Sequence, residues 1–149
     1  MPLNYWAPHV TVAAIIHKDG KFLLVEERIA NTLVINQPAG HLDNNESLVD
    51  AAIRETREET RWEFIPEYIS GVYRWIHENE ETYLRVCYVG EAIKEDTSLK
   101  LDNGIERAIW LSEEELKSQK NLRSPLVIKS VEDYLAGKKY PLSLFQDIS

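Results

Sequence analysis

Three glutamates at helical spacing, Glu55, Glu58 and Glu59, constrain this chain more than any other feature. They stand at i, i+3 and i+4, so a helix through them stacks three carboxylates on one side within about one turn. Like charges so placed cost a few tenths of a kcal/mol per pair. Stability alone gives no reason to put them there. A hard divalent cation with oxygen ligands converts the repulsion into coordination. The stretch around them runs from Gly40 to Trp62, with Gly40, a polar loop at Asp43–Asn45, and a helix over Ser47–Thr60. Its apolar stripe is Leu48, Val49, Ala52 and Ile53 with Thr56 behind, and Asp50, Arg54, Arg57 and Arg61 fall on the solvated side. The glutamates lie between, with Glu59 nearest the stripe.

Length and composition narrow what this helix belongs to. A chain of 149 residues, 44% hydrophobic and 28% charged, suits one globular domain over 1–149. No apolar run reaches the ~20 residues that span a bilayer. The N-terminus from Met1 lacks the basic flank and apolar region of a signal peptide, and the single cysteine, Cys87, supports no disulfide framework. These features predict a cytoplasmic protein with no membrane partner, a monomer with a homodimer as the alternative. The net charge of −8 disfavours binding to long nucleic acid. That charge is uneven. Lys117, Lys120, Arg123, Lys129, Lys138 and Lys139 face only Glu132 and Asp133 in the C-terminal segment, so the remainder is strongly acidic.

Apolar patterning places strands around the helix. His9–His17 is nearly all apolar and predicts a central strand buried on both faces. Lys18-Asp19-Gly20-Lys21 is a hairpin turn, followed by strands over Phe22–Arg28 and Leu33–Asn36, the latter broken by Gln37–Gly40. Pro66 closes the region after the helix. Tyr68–Glu78 and Thr82–Ile93 form a hairpin, and Ile105–Leu111 is a further strand. Ser112 and Glu115 make a capping box, and Ser124-Pro125 starts a last helix that Gly137 stops. The resulting class is α+β: a mixed sheet with helices on its faces.

Four features converge on one chemistry. Gly40 can offer a bare carbonyl to a metal. Glu46 precedes the helix, and Arg54 can pin a carboxylate through a bidentate pair. The clustered carboxylates favour Mg²⁺, with Mn²⁺ as an alternative, over zinc. Mg²⁺ prefers phosphate oxygens, and the implied reaction is attack of water on phosphorus with a glutamate taking the proton.

The same residues resemble the signature of the Nudix hydrolase family: Gly, five residues, Glu, seven residues, then Arg-Glu-apolar-any-Glu-Glu-any-Gly-apolar. Gly40, Glu46, Arg54, Glu55, Glu58, Glu59 and Trp62 stand in those places. Two positions depart from the pattern, Thr56 for an aliphatic residue and Arg61 for the helix-ending glycine. Pro8–Ala13, Asn36–Leu42, Asn121–Leu126 and Tyr140-Pro141-Leu142 further resemble the NudJ-type phosphatase branch. The resemblance implies an α/β/α sandwich with a central mixed sheet. It implies Mg²⁺-dependent hydrolysis of nucleoside tri- and diphosphates and of thiamine-type pyrophosphates, including the hydroxymethylpyrimidine precursor, with release of orthophosphate. Carried over by position, Gly40, Glu55, Glu58 and Glu59 hold metal, and Arg54 with Glu46 orients Glu55. The general base is Glu55 or Glu106.

Selectivity must come from outside the signature. Arg74, Trp75, Arg85 and Arg123 are the candidate substrate contacts. Trp6, Tyr73 and Tyr88 are further stacking candidates, and His9, His41 and His77 are weaker ones. The competing readings are a dinucleoside-polyphosphate or capped-RNA hydrolase and a non-catalytic nucleotide-binding regulator.

Overall fold

The computed structural model describes residues 5–148, so Met1–Asn4 of the leader reading lie outside the described residues. Strand β1 (His9–Ile15) is central, as its unbroken apolar run requires: Val12, Ala13, Ala14 and Ile15 are all buried. A hairpin follows, β2 (His17–Lys18) and β3 (Lys21–Ile29), turned by Asp19 and Gly20 at φ 52° and 77°. A second tight turn at Ala30-Asn31 leads into β4 (Thr32–Asn36). Gln37-Pro38 breaks that strand as expected. The chain then makes a short strand of its own, β5 (Ala39–His41), which the glycine and proline signals had masked.

Helix α1 (Leu48–Thr60) begins at Ser47, whose hydroxyl accepts from the Asp50 N–H at 3.0 Å. Strands β6 (Trp62–Ile76) and β7 (Thr82–Glu95) form one long hairpin. Pro66 does not close the region. It sits inside β6 at a register shift, opposite Gly90, where the ladder needs no N–H from it. Strand β8 (Ile105–Leu111) precedes α2 (Glu113–Lys117), which carries the predicted capping box, and α3 (Leu126–Leu135) follows.

Among the described residues the strands form the expected mixed sheet and a second four-stranded sheet beside it. The mixed sheet has the order β5-β1-β7-β6, with β1 parallel to β7 and the other pairs antiparallel. The second joins β2-β3-β4, with β8 on the free side of β3. Side chains alternate across β1. Val12 and Ala14 pack with Ala51 and Ala52 of α1, whereas Ile15 packs with Val127 and Val131 of α3. Helices therefore cover both faces, an α+β sandwich as predicted. No helix among the described residues is long and apolar enough to cross a membrane.

Candidate active site

The buried line of α1 runs through Ala52, Thr56, Glu59 and Thr60, one step round from the predicted stripe, because Leu48, Val49 and Ile53 are only partly covered. Thr56 is fully buried, and its hydroxyl donates to the Ala52 carbonyl at 2.8 Å, so the polar replacement leaves no unsatisfied group. That rotation grades the glutamates. Glu59 is 8% exposed, the Glu55 side chain 12%, and the Glu58 side chain 40%.

Arg54 organises the cluster. Its Nε donates to Glu46 Oε2 at 2.7 Å, its Nη1 to Glu55 Oε1 at 2.8 Å and to Glu58 Oε2 at 3.3 Å, and its Nη2 to the His41 carbonyl at 3.1 Å. The bonds to Glu46 and Glu55 push the Arg54 pKa still higher, and the same Arg54 bond lowers that of Glu46. Glu59 instead accepts from the Ala39 N–H at 2.9 Å. Among the described residues no three acidic or imidazole groups already converge on one point, since Arg54 draws two carboxylates to itself and Ala39 holds the third.

Desolvation dominates the electrostatics. Burial pushes the Glu59 carboxyl up to about 9, with Glu55, Glu27 and Asp102 adding like charge against the Ala39 hydrogen bond. Glu55 is raised for the same first reason, burial, with Arg54 opposing. Gly40 is the second element of the site. A Cβ built there would lie 2.1 Å from Glu55 Cδ, so the bare glycine leaves the space that the carboxylate fills. A buried acid kept from its natural ionisation, an adjacent carboxylate and a side-chain-free strand together fit a divalent cation with oxygen ligands.

Beyond β5 lies a pocket of about 180 Å³ that includes Ala39, Gly40 and His41 in its lining. Strand register puts His41, Thr11, Arg85 and Tyr73 in one row across the mixed sheet, and His9, Tyr83 and Trp75 in the next. Arg85, Trp75 and Arg123 all line this pocket, as do His41 and His77. His9 stacks on Tyr83 with ring centroids 4.7 Å apart. Burial, then the neighbouring His9, lowers the His41 pKa.

Several sequence candidates fall elsewhere. Arg74 is exposed on the opposite face of β6 from Trp75, because side chains alternate and the pocket takes the odd-numbered set. Glu106 is exposed outside the pocket, where Arg28 Nε donates to it at 2.8 Å, and a bulge in the β3–β8 pairing leaves it without a strand partner. Trp6 is 73% exposed, Tyr88 is fully buried in the core, and the Tyr73 hydroxyl donates to Asp133 at 2.7 Å. In the basic segment, Lys129 and Lys138 pair with Asp133, and Lys117 pairs with Glu113. Lys139 lies over Tyr68. Arg123 enters the pocket, and Lys120 lines the groove adjoining it.

Four residues of the neighbourhood were not among the site candidates: Glu27, Asp102, and Asn36 and Gln37, which the sequence marked only as part of the Asn36–Leu42 string. Glu27 lines the pocket opposite Arg123, at 3.6 Å. Its only sequence signal was the Glu26-Glu27 pair on a strand, one of which must face inward. Asp102 is brought in by a backbone bond from its N–H to the Glu58 carbonyl, a loop contact that no pattern announces.

The comparisons agree with this geometry. The family model described as the NUDIX domain matches residues 7–130. The chain is 41% identical over 142 residues to Phosphatase NudJ of Escherichia coli strain K12, covering 95% of this chain and 93% of that protein. A NUDIX hydrolase from Nitrosomonas europaea superposes with a TM-score of 0.93 at 46% identity, over 95% of this chain and 98% of that one. The NUDIX domain of Shewanella oneidensis NrtR, complexed with ADP ribose, shares the fold at a TM-score of 0.69 and 18% identity, over 88% and 90%. Family model, relative and superposed structure thus agree with the Gly40–Trp62 signature, and the chain belongs to the Nudix family as a Nudix hydrolase.

Proposed function

We propose that the protein is a divalent-cation-dependent phosphohydrolase of small phosphoanhydrides. Its substrates in this reading are nucleoside tri- and diphosphates and thiamine-type pyrophosphates, including the hydroxymethylpyrimidine precursor, and it releases orthophosphate. One observation carries the proposal: Gly40 is shared between the buried glutamates on one side and a pocket with two arginines on the other. A phosphate chain reaching the glutamates from that pocket crosses Gly40. The 41% identity to a protein named as a phosphatase supports the same class.

Glu55, Glu58, Glu59 and the Gly40 carbonyl would hold Mg²⁺, or Mn²⁺. When bound, the cation supplies positive charge beside the phosphoryl oxygens as the transition state forms. The remaining chemistry belongs to the chain. Arg54 fixes Glu55 by occupying Oε1 and is itself locked by Glu46. Glu55 Oε2 is then free to take the proton of the attacking water, and partial burial, which raises this carboxyl, suits it as a base. Of the two bases the sequence allowed, Glu55 is the better supported, since Glu106 is engaged by Arg28 outside the pocket. Water's oxygen bonds to phosphorus, the bridging P–O bond breaks, and the leaving oxygen keeps the electron pair. Arg85 and Arg123 bind phosphate oxygens, and Trp75 offers its face to a ring.

The test is a panel of these phosphoanhydrides with Mg²⁺, scored separately for orthophosphate and pyrophosphate. Orthophosphate from both triphosphates and thiamine-type pyrophosphates is the expected result. Exclusive pyrophosphate release, or turnover confined to dinucleoside polyphosphates, would overturn the reading.

A further inference from the structure

Arg85 is the anomaly of the pocket. It is 7% exposed, yet among the described residues no carboxylate lies within salt-bridge distance of it. Its guanidinium makes one hydrogen bond, from Nη1 to Gln37 Oε1 at 3.1 Å, and Nε has no partner. The other partly covered arginines differ: Arg54 contacts four carboxylates and Arg123 faces Glu27. A buried cation without a counter-charge is costly, and burial accordingly disfavours its charged form.

Three neighbours show what is missing. Arg123 lines the same pocket, with its charge already opposed by Glu27. Helix α3 starts there, and Gln37, which holds Arg85, also donates to the Val127 carbonyl in that first turn at 3.0 Å. Ser124 and Leu126, at the start of α3, complete that side of the lining. Arg85, Arg123 and the start of α3 therefore line one small space. An internal phosphate of a chain carries substituents on both sides. A free end carries a second negative charge, which an uncompensated buried cation favours over the single charge of an internal phosphate.

We infer that Arg85 is a specificity-determining residue, the seat of a free terminal phosphoryl group, and that the pocket selects phosphoanhydrides with an unblocked end. This rests on the phosphohydrolase reading for its substrate class. The dianion supplies the counter-charge that Arg85 lacks, and Gln37 presents the guanidinium by fixing one of its nitrogens. A methyl ester or a second nucleoside on that phosphate removes one of the two charges that oppose Arg85.

The experiment compares wild type, Arg85→Met and Arg85→Lys with a nucleoside triphosphate and with the same triphosphate methyl-esterified on its terminal phosphate. Wild type prefers the free-ended substrate through KM. In Arg85→Met that preference falls by at least ~10-fold, the loss expected when a charge-assisted bond is removed. In Arg85→Lys, which keeps the charge without the planar fork, it falls by less. Without cation or substrate, inorganic phosphate raises the Tm of wild type and has no effect on Arg85→Met. The phosphate-free Tm of Arg85→Met equals or exceeds that of wild type, because an unpaired buried charge has been replaced by an apolar side chain. Equal losses on both substrates, an unfolded Arg85→Met, or a phosphate response that survives it would each assign Arg85 a structural role and overturn the inference. Failure of wild type to hydrolyse either triphosphate would refute the substrate class, while the phosphate titration still decides the subsite.

Discussion

Gly40 and Glu55 show how a single missing methyl group can define a site. The Cβ of alanine at position 40 would meet only the far end of the Glu55 side chain, not backbone. Gly40→Ala should therefore fold with a Tm within a few degrees of wild type and lose at least ~10²-fold in kcat, as the carboxylate is displaced by more than an ångström. Gly90→Ala is the contrasting control. Its Cβ would fall 1.9 Å from the Ile65 carbonyl, and there the strand itself must move. At this scale the sequence was informative where several constraints met. Helical spacing put Glu55, Glu58 and Glu59 together on α1, and the burial order with Glu59 innermost followed from the apolar stripe. It failed for Arg74 and Glu106, because one-residue parity along a strand and a bulge in a neighbouring pair decide which way a charge points.

Elements carry the next set of constraints. Arg61 replaces the helix-ending glycine and still adopts its left-handed geometry, at φ 67°, with its N–H donating to the Arg57 carbonyl at 2.9 Å. Among the described residues the only side-chain return is a contact from Nη1 to the Thr97 carbonyl at 3.5 Å, marginal for a hydrogen bond. Arg61→Gly should thus stabilise the fold by on the order of 1 kcal/mol, less than the full left-handed penalty because glycine also loosens the unfolded chain. A Tm rise of roughly 2–4 °C is the corresponding readout. The link between β6 and α3 has a pH signature. Burial works to raise the Asp133 carboxyl, but hydrogen bonds from Tyr73, Lys138 and Lys129 outweigh it and hold it down to about 2. A carboxylate lowered in the folded state stabilises it above the ordinary value near 4 and loses that contribution as pH falls from about 4 to about 2. The contribution is on the order of 2 kcal/mol before discounting the two half-exposed lysines. Urea titrations across that window should show a steep decline for wild type and a flatter one for Asp133→Asn. Capping boxes and turns were legible because they are local: Ser112 with Glu115, and Asp19-Gly20, stand where predicted. Pro66 inside β6 was not, since only the register shift with the partner strand makes room for it.

Across the whole molecule, the two helix-covered sides divide the labour. The α1 side holds the acids, the α3 side holds the pocket, and β5 is the shared edge between them. Apolar runs revealed both layers of helices, yet not that the strands form two sheets, because pairing partners are set by contacts distant in sequence. The basic C-terminal segment likewise resolved into internal pairs, with Arg123 as its contribution to the pocket. The central claim is that Glu59, buried and uncharged without a cation, becomes a ligand when one is present. Glu59→Gln tests it directly. At neutral pH glutamine mimics the protonated acid and still accepts from the Ala39 N–H. The cation-free Tm should be unchanged, the Mg²⁺-dependent rise in Tm should disappear, and orthophosphate release should fall by ~10² or more. Undiminished phosphate release by Glu59→Gln, with its Mg²⁺ response intact, would contradict the account at its centre.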